Sequence, residues 1–497
     1  MGSDLQSRKG VDGDRNGHEL FFGLVGPTGV DNTLIQGYLE EALQEFGYSL
    51  QSHQMSAYLE ETPLSTKFGY SIDKLSSYKE TESGMDAGDK VRKQSQHNAF
   101  LAMYAVAKIA EKRHSGSNYQ SSAHLFRSLK NPAETDFLRK TYGFGYFQFG
   151  VYATEDDRID YLRRKKGIEN RSDALKLIER DEQEEEKFGQ QTAETFHLSD
   201  FFIRLEYKHP KAAKDQIIRA LDLIFSHPHI TPTRDEQLMF MAYSYAARSG
   251  DLSRQVGAVL SNPFGDIIGS GSNDVPKHGG GPYWPADDGS DQRDAVRGGD
   301  ANKEKRNQII VEIARRLDPE VTDLPDSEAA RKAIQKLNGA KILDITEFSR
   351  ATHAEMDAIL SCARSGISTR GATLYCTTFP CHNCAKHIVS AGIERVVYVE
   401  PYPKSHAKDL HGDAISFGEG ETDKVLFESF IGVAARRYLD LFSLKIGWGR
   451  EKPRADKLTG TPLKFSRKDA KVRVPMLITN YEENERFCAT KVAETLA

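Results

Sequence analysis

From residue 18 to about 230, short unbroken apolar runs alternate with longer stretches of helical spacing. Phe21-Phe22-Gly23-Leu24-Val25 reads as a buried strand that ends in the turn Gly26-Pro27-Thr28-Gly29. From Thr33 to Phe46, residues Leu34, Tyr38, Leu39, Ala42 and Leu43 fall on one side of a helix. A second apolar helix is predicted over 98–112 and a second strand over 147–152. Strand, glycine turn and helix within a mixed α/β run predict a parallel sheet. The acidic run 181–186 reads as a solvated helix or loop.

The two prolines of His227-Pro228-His229-Ile230-Thr231-Pro232-Thr233 mark a junction. Thr233 and Glu236 have the spacing of a capping box for a helix over 235–248. A second α/β unit then begins with a strand at 256–260, a turn at 263–266 and a return strand at Ile267-Ile268. Residues 279–345 read as an insertion: a loop dense in Gly, Asp and Arg, then polar helical stretches at 302–317 and 326–338. Helix 352–365, strand 372–376, helix 381–391 and strand 395–399 complete the unit, and 472–478 reads as an added strand. The expected organisation is a mobile tail at 1–17, domains at 18–230 and 231–480, and a C-terminal tail at 481–497.

Composition narrows the chemistry. No apolar run approaches the roughly 18 residues of a spanning helix, and the polar first 18 residues contain no secretory core. The expectation is a cytoplasmic protein without membrane partners. Lys and Arg total 67 against 72 Asp and Glu, a net charge of -5; a grip on long nucleic acid ordinarily needs a basic excess. Five cysteines form no disulfide framework. Three of them, Cys376, Cys381 and Cys384, fall within nine residues, and in a reducing compartment such clustering points to metal.

His353-Ala354-Glu355 and Pro380-Cys381-His382-Asn383-Cys384 form the most informative constellation. His353, Cys381 and Cys384 supply three zinc ligands and leave the fourth position for water, as a catalytic site requires. The two-residue gap places both sulfurs at the first turn of one helix, where the dipole favours thiolates. Glu355 reaches that water without ligating the metal. A structural zinc knot would need a fourth protein ligand, for which Cys376 and His382 are the candidates. The pattern matches H-x-E…P-C-x-x-C of the zinc nucleobase deaminases, in which the glutamate carries protons.

Residues 238–415 resemble the deoxycytidylate deaminase branch of the cytidine deaminase superfamily. The likeness runs through Arg248-Ser249-Gly250-Asp251-Leu252-Ser253-Arg254-Gln255-Val256-Gly257-Ala258, Gly271-Ser272-Asn273-Asp274-Val275-Pro276, the His353 segment and Thr377-Thr378-Phe379-Pro380-Cys381. It implies a three-layer αβα domain and assigns Asn273 to the sugar or base. Asp274 and Asp357 depart from the Gly and Asn that the family often has there. Arg254, Lys277 and Lys404 are candidate phosphate ligands, and Tyr402 stacks on the base or packs. Trp284 covers the pocket mouth or pins the insertion. The basic clusters 163–166 and 303–306 read as solvated helix faces, and Cys362 as a small core residue.

The first half resembles a P-loop nucleotide-kinase-like domain. Together the halves are similar to the bacterial antiviral deoxycytidine-nucleotide deaminases, which exhaust dCTP during phage infection. That resemblance includes Arg127-Ser128-Leu129-Lys130-Asn131-Pro132, Tyr142-Gly143-Phe144-Gly145 and Glu400-Pro401-Tyr402-Pro403-Lys404-Ser405. It implies Zn2+, a dCMP or dCTP substrate yielding the deoxyuridine nucleotide and ammonia, and a homo-oligomer. Deamination of RNA or single-stranded DNA, or an inactive nucleotide sensor, is the alternative. Against G-x-x-x-x-G-K-[ST], Gly26 and Thr33 fit, while Asp31 replaces the second glycine and Asn32 the lysine. Gly26, Gly29, Asn32 and Thr33 therefore mark a degenerate loop, with regulation by a nucleotide or RNA expected rather than phosphoryl transfer.

Overall fold

The computed structural model describes residues 18–116, 119–182, 189–285, 291–317, 328–337, 340–345, 347–400, 405–418, 423–476 and 478–497. The expected tail at 1–17 lies outside them. The chain forms two units, Met1–Thr233 with Ile431–Ala497, and Arg234–Phe430. No described helix is long and apolar enough to cross a membrane.

The first unit holds five parallel strands: β1 (Leu20–Val25), β2 (Ser49–Gln54), β3 (Ser122–Arg127), β4 (Tyr146–Tyr152) and β5 (Phe201–Arg204). Their spatial order is β5-β4-β1-β3-β2, with the short strand Gly432–Val433 antiparallel on the β5 edge. All six residues of β1 are buried, as expected of a central parallel strand covered on both faces. β2, at the sheet edge, is polar and half of its residues are exposed. The connection from β1 runs to β2 on one side of the sheet, and that from its neighbour β4 runs to β5 on the other. The turn at the carboxyl end of β1, Gly26–Gly29, thus lies at a topological switch point, where open sheets hold ligands. Helix Asn32–Gln44 follows, its first turn capped by Asp31, whose Oδ1 accepts from Leu34 N at 3.0 Å.

Three expectations need correction here. The second domain does not run to 480. The chain returns to the first unit at Ile431, and the expected tail is helix Glu482–Leu496. That helix is fixed by a buried charge cluster: Arg113 lies 2.7 Å from Glu19 and 2.9 Å from Glu485. The stretch 472–476 forms no strand, and 478–480 is a 3-10 turn; its valines are buried in a loop without a sheet neighbour. Asp181, placed by sequence on a solvated run, is fully buried. Its charge is met by Lys130 Nζ at 2.8 Å and by Thr28 N at 2.7 Å. Residues 183–186 of that run lie outside the described residues.

In the second unit, the hairpin β6 (Gly257–Ser261) and β7 (Ile267–Ser272) pairs antiparallel. β8 (Thr373–Thr378) runs antiparallel to β6, and β9 (Arg395–Glu400) parallel to β8. β10 (Ile415–Ser416) and β11 (Val425–Ser429) extend the sheet in the order β10-β11-β9-β8-β6-β7. Helix Arg234–Ala246 packs on one face, beside Gly257. Helices Ala354–Ser365 and His382–Ser390 share the opposite core with Ala258, Leu260, Leu374 and Cys376. Since side chains alternate along a strand, this makes three layers, helix, sheet, helix. A Cβ on Gly271 would press against the Ala354 carbonyl, so glycine there lets the start of helix Ala354–Ser365 lie directly on β7. The insertion contributes helices Ala301–Leu317 and Glu328–Lys336.

Candidate active site and metal centre

Two helix N-termini converge at the site. His353 is the N-cap residue of Ala354–Ser365 and Cys381 that of His382–Ser390, both in extended backbone conformation. Cap geometry turns each side chain back over the helix start, and Cys384, inside the first turn, joins them from below. His353 Nδ1 lies 3.4 Å from Cys381 Sγ and 3.3 Å from Cys384 Sγ, and the three donor atoms fall within 4.8 Å of one another.

Tetrahedral zinc with sulfur at about 2.3 Å and nitrogen at about 2.0 Å spaces N and S by roughly 3.6 Å, so this donor set fits the ion closely. Among the described residues the cluster has three members. Cys376, considered above as a fourth ligand, is fully buried on β8, and burial pushes its thiol up. Hydrogen bonds from Cys384 and His353 hold the Cys381 thiol down to about 3. The Cys381 contact pushes His353 up to about 9. A thiolate poised at a helix N-terminus is the form that a metal takes.

His353 and Cys381 face a cavity of about 540 Å³ that is also lined by Glu355, Asn273, Arg254, Val256 and Phe379, with Cys384 buried behind them. Glu355 is buried, and desolvation raises its carboxyl above the usual range, against the pull of His353. A carboxyl so placed exchanges protons more readily near neutral pH. Asn273 lines the wall, but its amide is engaged by the neighbouring loop. Its Oδ1 accepts from Val256 N at 2.6 Å, and its Nδ2 donates to Arg254 O at 2.7 Å. The Arg254 guanidinium reaches Glu400 at 2.6 Å.

Other sequence candidates fall elsewhere. Lys277 is not among the lining residues. Tyr402 and Lys404 lie outside the described residues. Asp357 is buried and accepts from Ser272 N at 3.4 Å, supporting the strand end before Asn273 rather than facing the cavity. Asp274 accepts from Gly250 N at 3.2 Å. Trp284 stacks under the Arg248 guanidinium, 4.2 Å from the ring centroid, and does not line the cavity. In the first unit, Gly29 has φ +96°, Asn32 is half-buried, and exposed Thr33 accepts from Arg127 at 3.3 Å.

The sequence reading missed the outer wall. Asp294, Asp300, Asn302 and Glu347 come from the insertion and line the same cavity. Asn302 clips the segment in place, donating to Ile345 O at 2.9 Å and accepting from Phe348 N at 3.1 Å. His382 and His406 also line the cavity, their rings 6.0 Å apart. His382, weighed in the sequence as a fourth ligand, lies outside the three-donor cluster.

A three-donor zinc cluster with a buried carboxyl beside it belongs to the class of zinc-dependent hydrolytic deaminases. Residues 232–400 match the family described as the cytidine and deoxycytidylate deaminase zinc-binding region. The deoxycytidylate deaminase of Enterobacteria phage T2 is 33% identical over 165 residues, 33% of this chain and 79% of that protein. ComE operon protein 2 of Bacillus subtilis (strain 168) is 41% identical over 83 residues, 16% of this chain and 43% of that protein, so less than half of its length is spanned. The crystal structure of the cyanophage S-TIM5 dCMP deaminase with dCMP and dUMP aligns over 41% of this chain and 100% of its own, at 21% identity and a TM-score of 0.24.

The chain belongs to the deoxycytidylate deaminase family. Its second unit is a zinc-dependent cytosine-nucleotide deaminase domain.

Proposed function

We propose that the protein hydrolyses deoxycytidine nucleotides, dCMP, dCTP or both, to the deoxyuridine nucleotides and ammonia. The observation that carries this reading is the cluster of His353, Cys381 and Cys384, of which His353 and Cys381 line, with Glu355, one cavity of about 540 Å³. His353, Cys381 and Cys384 would hold zinc, which supplies Lewis-acid activation of a water when bound. Glu355 accepts the proton of the attacking water and delivers it to ring N3 as C4 is attacked. It then takes the proton of the new C4 hydroxyl and delivers it to the amine, so that the C4–N4 bond breaks, the C4 carbonyl forms and ammonia leaves. The raised proton affinity of Glu355 suits both halves of that relay, since one carboxyl must take and return a proton. Burial excludes bulk solvent that would otherwise compete for it. Phe379 offers an apolar wall for the base, and the loop carrying Arg254 places a cation at the cavity.

Carboxylates that line the cavity, Asp251, Asp300 and Glu347, oppose a polyanionic strand and favour single nucleotides over RNA or single-stranded DNA. Incubation of the zinc-loaded protein with each cytosine nucleotide, with products separated by chromatography, tests the reading. Conversion of neither dCMP nor dCTP would refute it. For the first unit, the parallel order around β1 and the glycine turn before helix Asn32–Gln44 support a degenerate P-loop kinase-like, regulatory role. On this reading the two units together drain dCTP in defence against phage. Nucleotide pools measured during infection, with the wild type beside Glu355→Ala, test that role.

A further inference from the structure

The turn after β1 already holds an anion. Thr28 N donates to Asp181 Oδ2 at 2.7 Å, and Asp181 Oδ1 lies 2.8 Å from Lys130 Nζ. The same ammonium donates to Gly26 O at 3.1 Å. Asp181 is fully buried, at the end of helix Arg171–Glu182. An ionised carboxylate offers about four acceptor sites. Here Oδ2 has the amide, while Oδ1 faces the ammonium without a well-aligned hydrogen bond. Asn32 Oδ1, beside Gly26, is likewise buried without a partner.

A backbone amide and an ammonium converging where a strand passes into a helix is the arrangement that holds phosphate. The under-satisfied carboxylate fits it as a small substitute for a larger anion. The carbonyl side of the turn is tied down as well. Arg158 Nε donates to Thr28 O at 2.9 Å, and the Tyr207 hydroxyl donates to Gly29 O at 3.0 Å. Asp181 and Arg158 both come from the segment between β4 and β5, so one stretch of chain closes the turn from two sides.

We propose that Asp181 is the resident occupant of a phosphate seat in the first unit. A pyrophosphate-bearing ligand, such as a nucleoside polyphosphate, enters that seat only when the carboxylate is withdrawn or neutralised. The seat belongs to the first unit and the deaminase centre to the second.

The test is calorimetric titration of the full-length, zinc-loaded protein with inorganic pyrophosphate and, separately, with Mg·ATP. Asp181→Asn and Asp181→Ala are expected to bind pyrophosphate at least tenfold more tightly than the wild type. Adding Lys130→Met to Asp181→Ala is expected to abolish the gain, which localises it to this turn. Folded Asp181 variants with no gain, or a gain that survives Lys130→Met, would overturn the proposal. Should the variants not fold, amide hydrogen exchange on the wild type decides. The Thr28 amide is expected to be strongly protected and to change its protection when millimolar pyrophosphate is added. Rapid exchange in the free protein, or indifference to pyrophosphate, would overturn the proposal equally.

Discussion

Replacing Asn273 by alanine separates two roles for one side chain. The family resemblance gives it to the sugar or base, whereas both ends of its amide hold the backbone of Arg254 and Val256 at 2.7 and 2.6 Å. Truncation strands one donor and one acceptor, at about 1 kcal/mol each for partly buried groups. A total of about 2 kcal/mol corresponds to a shift of roughly 30-fold in the equilibrium that keeps the loop against the cavity. The expected result for Asn273→Ala is a fall of up to about 30-fold in kcat/KM for dCMP, with zinc retained. Asn273→Asp keeps the acceptor for Val256 N and loses the donor to Arg254 O, so the expected fall is smaller, about fivefold. Hydrogen exchange supplies the independent readout: the Val256 amide loses protection in the alanine variant and keeps it in the aspartate variant. If activity collapses in Asn273→Ala while the Val256 amide stays protected, the side chain acts on the substrate directly and the loop argument is wrong.

Four further outcomes are expected. Glu355→Ala lowers deamination by at least about 10²-fold while metal analysis still finds stoichiometric zinc; loss of the metal from a folded variant would contradict the proton-carrier role. Cys381→Ser and Cys384→Ser each lose zinc and activity, whereas Cys362→Ala and Cys488→Ala, at buried positions away from the cluster, keep both. Cytosines within a single-stranded oligonucleotide stay unconverted under conditions that convert the free nucleotide, and comparable rates would favour a polymer substrate. Gly29→Ala destabilises the protein by about 1–3 kcal/mol, because φ is +96° and the new Cβ would stand 2.6 Å from Arg158 Cβ; an unchanged denaturation midpoint would refute this.

The metal centre was legible because two of its three donors are local and the third, His353, stands in the H-x-E pattern. A cap residue and a first-turn residue three positions apart meet at one point whatever the rest of the fold does. Strands β1, β4, β6, β8 and β9 were legible as short apolar runs, whereas β3 and β11, each with polar residues among the apolar ones, were missed. The outer wall was not, since Asp300 and Glu347 are 47 positions apart and meet at the cavity only through contacts such as that of Asn302 with Ile345 and Phe348. The burial of Asp181 was hidden for a related reason: a carboxylate at the head of an acidic run looks solvated until its partners Thr28 and Lys130, 153 and 51 residues away, are placed beside it. The return of the chain at Ile431 rests on a two-residue strand, too short for any periodicity to register.

That return makes the deaminase domain a guest threaded into the first unit, entered at Arg234 and left at Phe430. On a ribosome adding about 5–20 residues per second, the guest of roughly 200 residues takes about 10–40 s to emerge. Throughout that interval the host lacks the strand that covers the β5 edge and the helix that carries Glu485. Arg113 then has Glu19 alone, and the face of helix Phe100–His114 that later meets the last helix is bare. The deaminase unit therefore has the opportunity to fold before helix Glu482–Leu496, which follows it in the chain, packs onto the first unit.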